Sequence, residues 1–169
     1  MFHLLVAYQG WSDSGGPMQN SRIYIRPNEE PGQTFFTNGK LDISQISKLP
    51  ALLVTETGGM GPLHAKVANI TKITEGPKDT SIQYAIDVSI PQISNHELES
   101  FPTQLGLGRF NLSHTCWRLY DVNIYRLILL IHQKSTINFI GRPMPAVAAL
   151  GSWIASWDGR LRQLQEGGR

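Results

Sequence analysis

The stretch from His64 to Val88 constrains the fold more than any other part of the chain. Ile82, Tyr84, Ile86 and Val88 alternate with polar residues, the period-two signature of a strand with one buried and one wet face. Val67, Ile70 and Ile73 carry an interrupted apolar series through the preceding run, His64 to Thr74. Between the two runs, Gly76-Pro77-Lys78-Asp79 has the composition of a hairpin turn. A strand pair of this length must lay its apolar side on something, and the neighbouring segments supply it.

Phe2 to Tyr8 is apolar almost throughout and closed by Gly10, which predicts a central strand buried on both faces. Trp11 to Gly16 reads as a loop, and Ser21 to Arg26 as a strand with one wet face. Gln33 to Thr37 reads as a further short strand, ended by the turn dipeptide Asn38-Gly39. Leu41, Ile43, Ile46 and Leu49 share one stripe of a short helix that Asp42 or Ser44 can cap and Pro50 ends. Ala51 to Thr55 is an apolar strand running into Glu56-Thr57-Gly58-Gly59-Met60-Gly61-Pro62, expected to be the most flexible stretch. Ile90 to Ile93 is extended. Asn95 to Leu105 suits a short helix capped by Ser94 or Asn95 and disturbed by Pro102.

Ile124, Leu127, Ile128 and Ile131 keep a 3.6-residue stripe that Asp121 can cap, although the β-branched content also admits a strand. The helix is preferred, with a short strand from Thr136 to Ile140. Trp153, Ile154, Trp157, Leu161 and Leu164 keep helical spacing near the end. The sum is an α+β fold: a strongly bent, mainly antiparallel sheet or small β-barrel with two to four helices. A core domain is expected over 1–140. A C-terminal helical extension over 141–169 would pack on the core or, through Trp153 and Trp157, on a protein partner or a second copy.

Composition narrows the function classes. At 169 residues the chain buries a full core without staples. Fifteen basic and thirteen acidic residues leave a net charge of +2, which does not by itself argue for nucleic acid, because that affinity needs a basic face. Cys116 is the only cysteine, so an internal disulfide or cysteine-rich metal site is excluded and a reducing compartment fits. Met1 to Val6 lacks the positive flank of a signal peptide. The apolar run Leu127 to Ile131 is far below the ~20 residues that span a bilayer. A cytoplasmic protein without a membrane partner is expected.

Candidate chemistry is sparse. The glycines of Gly58-Gly59-Met60-Gly61 could let a backbone approach a phosphate, but the Lys-Ser/Thr ending of a P-loop is missing. Glu56 and Lys66 suggest a fragment of a metal-dependent nuclease site, yet the second carboxylate such a site needs is not visible, and a surface ion pair is the simpler reading. His3, His64, His96, His114 and His132 show no metal-ligand spacing, so no metal or cofactor is assigned. His114 and Cys116 are close enough to consider a nucleophile pair, with a structural cysteine as the default. Trp11 and Trp117 belong to strands or adjoining loops, where small barrels can stack a base on an aromatic ring.

Ser113-His114-Thr115-Cys116-Trp117-Arg118-Leu119-Tyr120-Asp121-Val122-Asn123-Ile124-Tyr125 resembles a pattern, T-H-W-x-x-K-D-V-D-L-F, that closes the amino-terminal module of certain bacterial multidomain proteins. There a TIR-like or nucleoside-deoxyribosyltransferase-like domain follows, and the whole is associated with phage defence. Gly10-Trp11 and Leu49 to Glu56 resemble the same module, so the likeness covers roughly residues 1 to 130. Thr115, Trp117, Asp121 and Val122 keep the pattern. Cys116 stands in place of its histidine, Tyr120 of its lysine and Asn123 of its second aspartate, which puts any site needing the charged set in doubt. The chain ends where the effector domain would begin, so the resemblance implies a recognition module without that domain's activity.

The expectation is therefore a non-catalytic ligand- or partner-binding module. Trp11, Glu56, Gly58, Gly59, Trp117 and Asp121 are its candidate ligand-binding residues, and no catalytic residue is assigned. Two other readings stay open. One is a nucleic-acid or modified-base reader with a nucleotide or nucleic-acid ligand. The other is a hydrolase or metal-dependent nuclease, which requires Glu56, His64 or His114 to converge in one cleft.

Overall fold

The apolar runs become strands in the computed structural model of the chain, which describes residues 1–101 and 112–139. In chain order the elements are β1 (Phe2–Ala7), β2 (Gly15–Gln19), β3 (Phe36–Thr37), β4 (Lys40–Leu41), α1 (Ile43–Ile46) and β5 (Pro50–Thr55). They continue with β6 (His64–Glu75), β7 (Asp79–Ile86), β8 (Ile93–Ser94), α2 (Asn95–Glu99), β9 (Cys116–Tyr120) and α3 (Ile124–Phe139). The main sheet has the order β2-β7-β6-β5-β1-β9, with β8 also on β6, while β3 and β4 form a separate hairpin. β1 runs parallel to β5, and the other pairings are antiparallel, so the sheet is mixed. The architecture is α+β.

β1 lies between β5 and β9, and Phe2 to Val6 are all buried, as a continuous apolar run requires. Leu5, Leu53, Ala68, Ile70, Ile73, Ile82, Tyr84 and Trp117 share one core cluster on one face of the sheet. Ile70 and Ile73 are three apart, a spacing that would normally put them on opposite faces. A bulge between Ile70 and Lys72 adds the odd residue, and both side chains reach the same cluster. This accounts for the interrupted pattern of His64 to Thr74.

The sheet is bent, and chain length shows why. Gln19 ends β2 at one edge, yet Ile23 bridges Trp117 on β9 at the other edge. The intervening steps reach at most about 14 Å, whereas the outer strands of six laid flat would stand about 24 Å apart. The contact is one bridge plus the Tyr24 N–H on the Trp117 carbonyl at 2.9 Å, so the sheet is not closed into a barrel. The strand predicted over Ser21 to Arg26 is thus a 3-10 turn, Asn20–Arg22, followed by a single crossing contact. Asn20 causes the turn: its N–H donates to Lys78 O and its side-chain amide to Gly76 O, which pins it to the β6–β7 hairpin tip.

Other differences have local causes. The loop expected over Trp11 to Gly16 gives way to strand at Gly15, since an edge strand tolerates Gly and Pro. Ser12 Oγ accepts the Gly15 N–H and donates to the Gly15 carbonyl, and Pro17 has no N–H to leave unpaired. Gly32–Phe35 is a 3-10 turn and only Phe36–Thr37 is strand. Asn38 (φ 52°) and Gly39 (φ 77°) then form the left-handed turn expected of that dipeptide. Asp42 caps α1 through the Gln45 N–H, and hydrogen bonds from the Ser44 hydroxyl and the Gln45 N–H hold its carboxyl below the usual range. Ser94 caps α2 in a reciprocal box with Glu97.

α3 is a helix, and its cap is Asn123 rather than Asp121. Asn123 Oδ1 accepts from the N–H groups of Tyr125 (3.1 Å) and Arg126 (3.2 Å). No Gly or Pro interrupts 124–139, so the helix runs through the described part of the strand expected at Thr136 to Ile140. Ile124, Leu127, Ile128 and Ile131 are all buried, as their stripe predicts. Two compact units, Met1–Ile131 and His132–Arg169, divide the chain. Pro102, Trp153 and Trp157 lie outside the described residues. Among the described residues no helix is long and apolar enough to cross a membrane.

One buried polar contact ties these parts together. Trp117 Nε1–H donates to His3 Nδ1 at 2.9 Å, which leaves the proton of His3 on Nε2 for the Ile46 carbonyl at 2.7 Å. β9, β1 and α1 are joined through one imidazole. Burial lowers the His3 pKa from 6.5 to about 4, partly opposed by the Ile46 hydrogen bond, so the ring is neutral in the folded protein. The unfolded chain protonates this ring below pH 6.5 while the folded one does not until about pH 4. Stability is therefore full above pH 6.5 and drains as pH falls, by about 2 kcal/mol at pH 5 from this group. Urea unfolding at pH 7 and pH 5 measures the loss, and His3→Gln, which cannot titrate, should flatten it. An unchanged slope in that variant would remove His3 as the cause.

Candidate functional site

The parallel pair β1 and β5 ends together, so Tyr8 and Glu56 leave the sheet side by side. The Glu56 N–H donates to Ala7 O at 3.0 Å. Its Oε2 accepts the Thr115 hydroxyl at 2.7 Å, and Thr115 Oγ1 in turn accepts the Tyr8 N–H at 3.2 Å. Glu56 thereby fastens the end of β5 to the entry of β9. Lys66 is paired with Asp13 at 3.3 Å, so the Glu56–Lys66 ion pair is replaced by two other contacts.

The glycine loop is occupied by the protein itself. The Gly59 N–H donates to Glu56 O and the Met60 N–H to Tyr8 O, both at 2.8 Å. A Cβ on Gly59 would lie 2.3 Å from Tyr8 O, and one on Gly61 2.7 Å from Gln9 O. These glycines let two loops touch backbone to backbone, which is the close approach that only glycine permits. The segment expected to be most flexible is in this respect a packed one, and two of its amides already have acceptors. Gly58 (φ 88°) faces open space.

Trp11 and Trp117 occupy different environments. Trp117 is 1% exposed, so its ring is a wall of the core rather than a platform on the surface. Trp11 is half-buried, donates its indole N–H to Leu5 O at 2.9 Å and meets Tyr84 edge-on at 6.0 Å. Tyr84 donates its hydroxyl to Ser12 O at 2.7 Å, and burial pushes its phenol pKa up. Asp121 is exposed at the rim of a cavity of about 360 Å³, near Arg118, whose guanidinium stands 4.3 Å over the Tyr24 ring.

The histidine and cysteine candidates stay apart in character. His114 is exposed, with Nδ1 hydrogen-bonded to Ser113 Oγ at 2.9 Å. Cys116 is buried, and that burial pushes its thiol up, opposite to what a nucleophile requires. His64 is exposed at the start of β6. Among the described residues no three of His, Cys, Asp and Glu are grouped to hold a metal ion.

What the sequence did not single out is a cavity of about 580 Å³ beside Trp117. Ile23, Ile25, Phe36, Leu41, Ile43 and Ile73 line it with Trp117, and Asn20, Lys40, Glu75 and Thr80 supply its polar groups. The β3–β4 hairpin forms one wall. Thr80 donates its hydroxyl to Asn20 Oδ1 at 2.9 Å, so those two polar groups satisfy each other. Asn38-Gly39 was the one visible signal, since it announces a hairpin, but not what the hairpin covers. Glu56, Gly58 and Gly59 do not line this cavity.

No family model, curated protein or solved structure matches this chain.

The glycine loop makes a direct prediction. Gly59→Ala should cost about 2 kcal/mol or more, because its Cβ meets a backbone oxygen that cannot turn away. Gly58→Ala should cost about 1 kcal/mol, the price of a left-handed backbone in open space. Urea midpoints of the two variants measure the order, and a reversal would mean that the loop contact does not support the fold.

Proposed function

We propose that this chain is a non-catalytic binding module for a small, largely apolar ligand held in the cavity beside Trp117. One observation carries the reading: about 580 Å³ lined by aliphatic side chains and two aromatic rings, with Lys40, Glu75 and Asn20 among its polar groups. Ligand sites commonly occupy ~300–1,000 Å³ with mostly apolar walls and few polar groups. Burial of the Trp117 ring counts against base stacking on it and in favour of its use as a wall. The recognition role implied by the resemblance of Ser113 to Tyr125 to modules of bacterial defence proteins is the same role, with a small molecule as what is recognised. The lone cysteine suits a cytoplasmic setting.

The hairpin gives the site a means of opening. β3 and β4 have two residues each, and such a ribbon is only marginally stable by itself. Phe36 and Leu41 face each other across it and pack against the core cluster. Lifting the hairpin exposes these two side chains without breaking the main sheet, a local opening of low cost.

A thermal-shift titration with octanoate, indole and the dye anilinonaphthalene sulfonate tests the reading. A ligand at a hundred times its Kd adds about 2.7 kcal/mol, a rise of about 5 to 10 °C for a chain of this size. Ile73→Trp fills the cavity and should abolish the shift while far-UV dichroism stays native. Leu41→Trp fills it from the hairpin and serves if the strand variant does not fold. An unmoved melting point in the wild type, or a full shift in a folded, filled variant, would overturn the reading.

A further inference from the structure

β6 carries a second opening at its other end. Lys66 lies on the same side of β6 as Ala68 and Ile70 and directly across the ladder from Leu53, in the row that elsewhere builds the core. A lysine in such a row gives up desolvation free energy that an aliphatic residue would not. Its partner does not account for it. The Lys66 side chain is 28% exposed but that of Asp13 is 91% exposed, and an ion pair with one member in solvent is weak. An ammonium has three donors, and Asp13 takes one of them.

Lys66 lies in a small recess with polar and aromatic walls. Thr55, buried to 4% exposure, His64 and Gln92 join it in a cavity of about 190 Å³. The indole of Trp11 supplies an apolar wall, held in place by its N–H on the Leu5 carbonyl. We propose that this cavity is an anion subsite that takes the carboxylate or phosphate of a small aromatic ligand. Lys66 Nζ provides the charge, His64, Thr55 and Gln92 provide polar contacts, and Trp11 covers the ring that carries the anion. Asp13 acts as the resident competitor, holding the ammonium until an anion displaces it. The subsite stands at the opposite end of β6 from the cavity beside Trp117 and does not depend on it.

Titration calorimetry of the full chain with benzoate, phenyl phosphate and inorganic phosphate tests the assignment. Benzoate or phenyl phosphate should bind with one-to-one stoichiometry and more tightly than inorganic phosphate. Lys66→Met should weaken that binding by about tenfold or more, the loss expected for a hydrogen bond to a charged group. Lys66→Arg should retain it to within about threefold. Asp13→Asn, a surface change that leaves the fold alone, should tighten it by about twofold to fivefold by removing the competitor, and remains informative if Lys66→Met fails to fold. Ile73→Trp should leave it untouched, which separates this site from the other cavity. No binding of either aromatic anion, equal affinity in a folded Lys66→Met variant, or weaker binding in Asp13→Asn would overturn the proposal.

Discussion

Trp117 sits where distant parts of the chain meet. Leu5 faces it across the β1–β9 ladder, Ile23 bridges it from the crossing segment, and its carbonyl accepts the Tyr24 N–H. Its ring nitrogen donates to His3, whose other nitrogen reaches the last residue of α1. Burying an indole removes about 150–250 Å² from water, or about 5 kcal/mol of favourable transfer. About a fifth to a half of that would be offset if the buried N–H lacked an acceptor, at about 1–3 kcal/mol. A neutral His3 is the condition for the contact, because a protonated imidazole has no lone pair to offer. The desolvation that lowers the His3 pKa and the hydrogen bond that fixes its tautomer therefore support the same state.

The bend of the sheet follows from the same place. The chain leaves β2, turns at Asn20 and reaches β9 within a few residues, which draws the two edges of the sheet toward each other. Side chains fill the middle of the concave face: Leu5, Leu53, Ala68, Ile70, Ile82 and Trp117. They do not fill its ends. β6 is the longest strand, and both openings fall on it, one by Lys66 and one by Ile73 and Glu75.

Legibility in the sequence tracked how directly burial writes itself into spacing. β1, β5, β6 and β7 were readable because continuous or alternating apolar residues have few other uses. β2 was not, since Gly15-Gly16-Pro17 carries no apolar period and its strand state depends on pairing with β7 and on Ser12. Ser21 to Arg26 alternated yet became a turn, because the bonds of Asn20 to the hairpin tip lie far away in sequence. Asn123 rather than Asp121 caps α3, a two-residue difference that both side chains could have met. At the site, size drew attention to Trp11 and Trp117, but the sequence carried no sign that one ring is half-buried and the other closed from water. Lys66 was weighed against Glu56, ten residues away, while its partner is Asp13. The cavity beside Trp117 draws its lining from separate segments, and long-range pairing of that kind leaves no local period.

The edges of the sheet bear on how such a module recognises anything. An open edge strand offers unpaired N–H and C=O groups, and added strands are a common mode of peptide binding. Here β2 is blunted: the Ser12 hydroxyl engages both polar groups of Gly15, and Pro17 brings no donor. On β9, the crossing segment already takes the Trp117 carbonyl and bridges the strand at Ile23. Backbone pairing is thus partly spent within the chain at both ends of the sheet. Side-chain-lined recesses offer other surfaces, among them one with mixed aliphatic, aromatic and polar walls and one built around a lysine. On the proposed reading, recognition through them would select by size, apolarity and charge rather than by strand register, which favours a small molecule over an extended peptide.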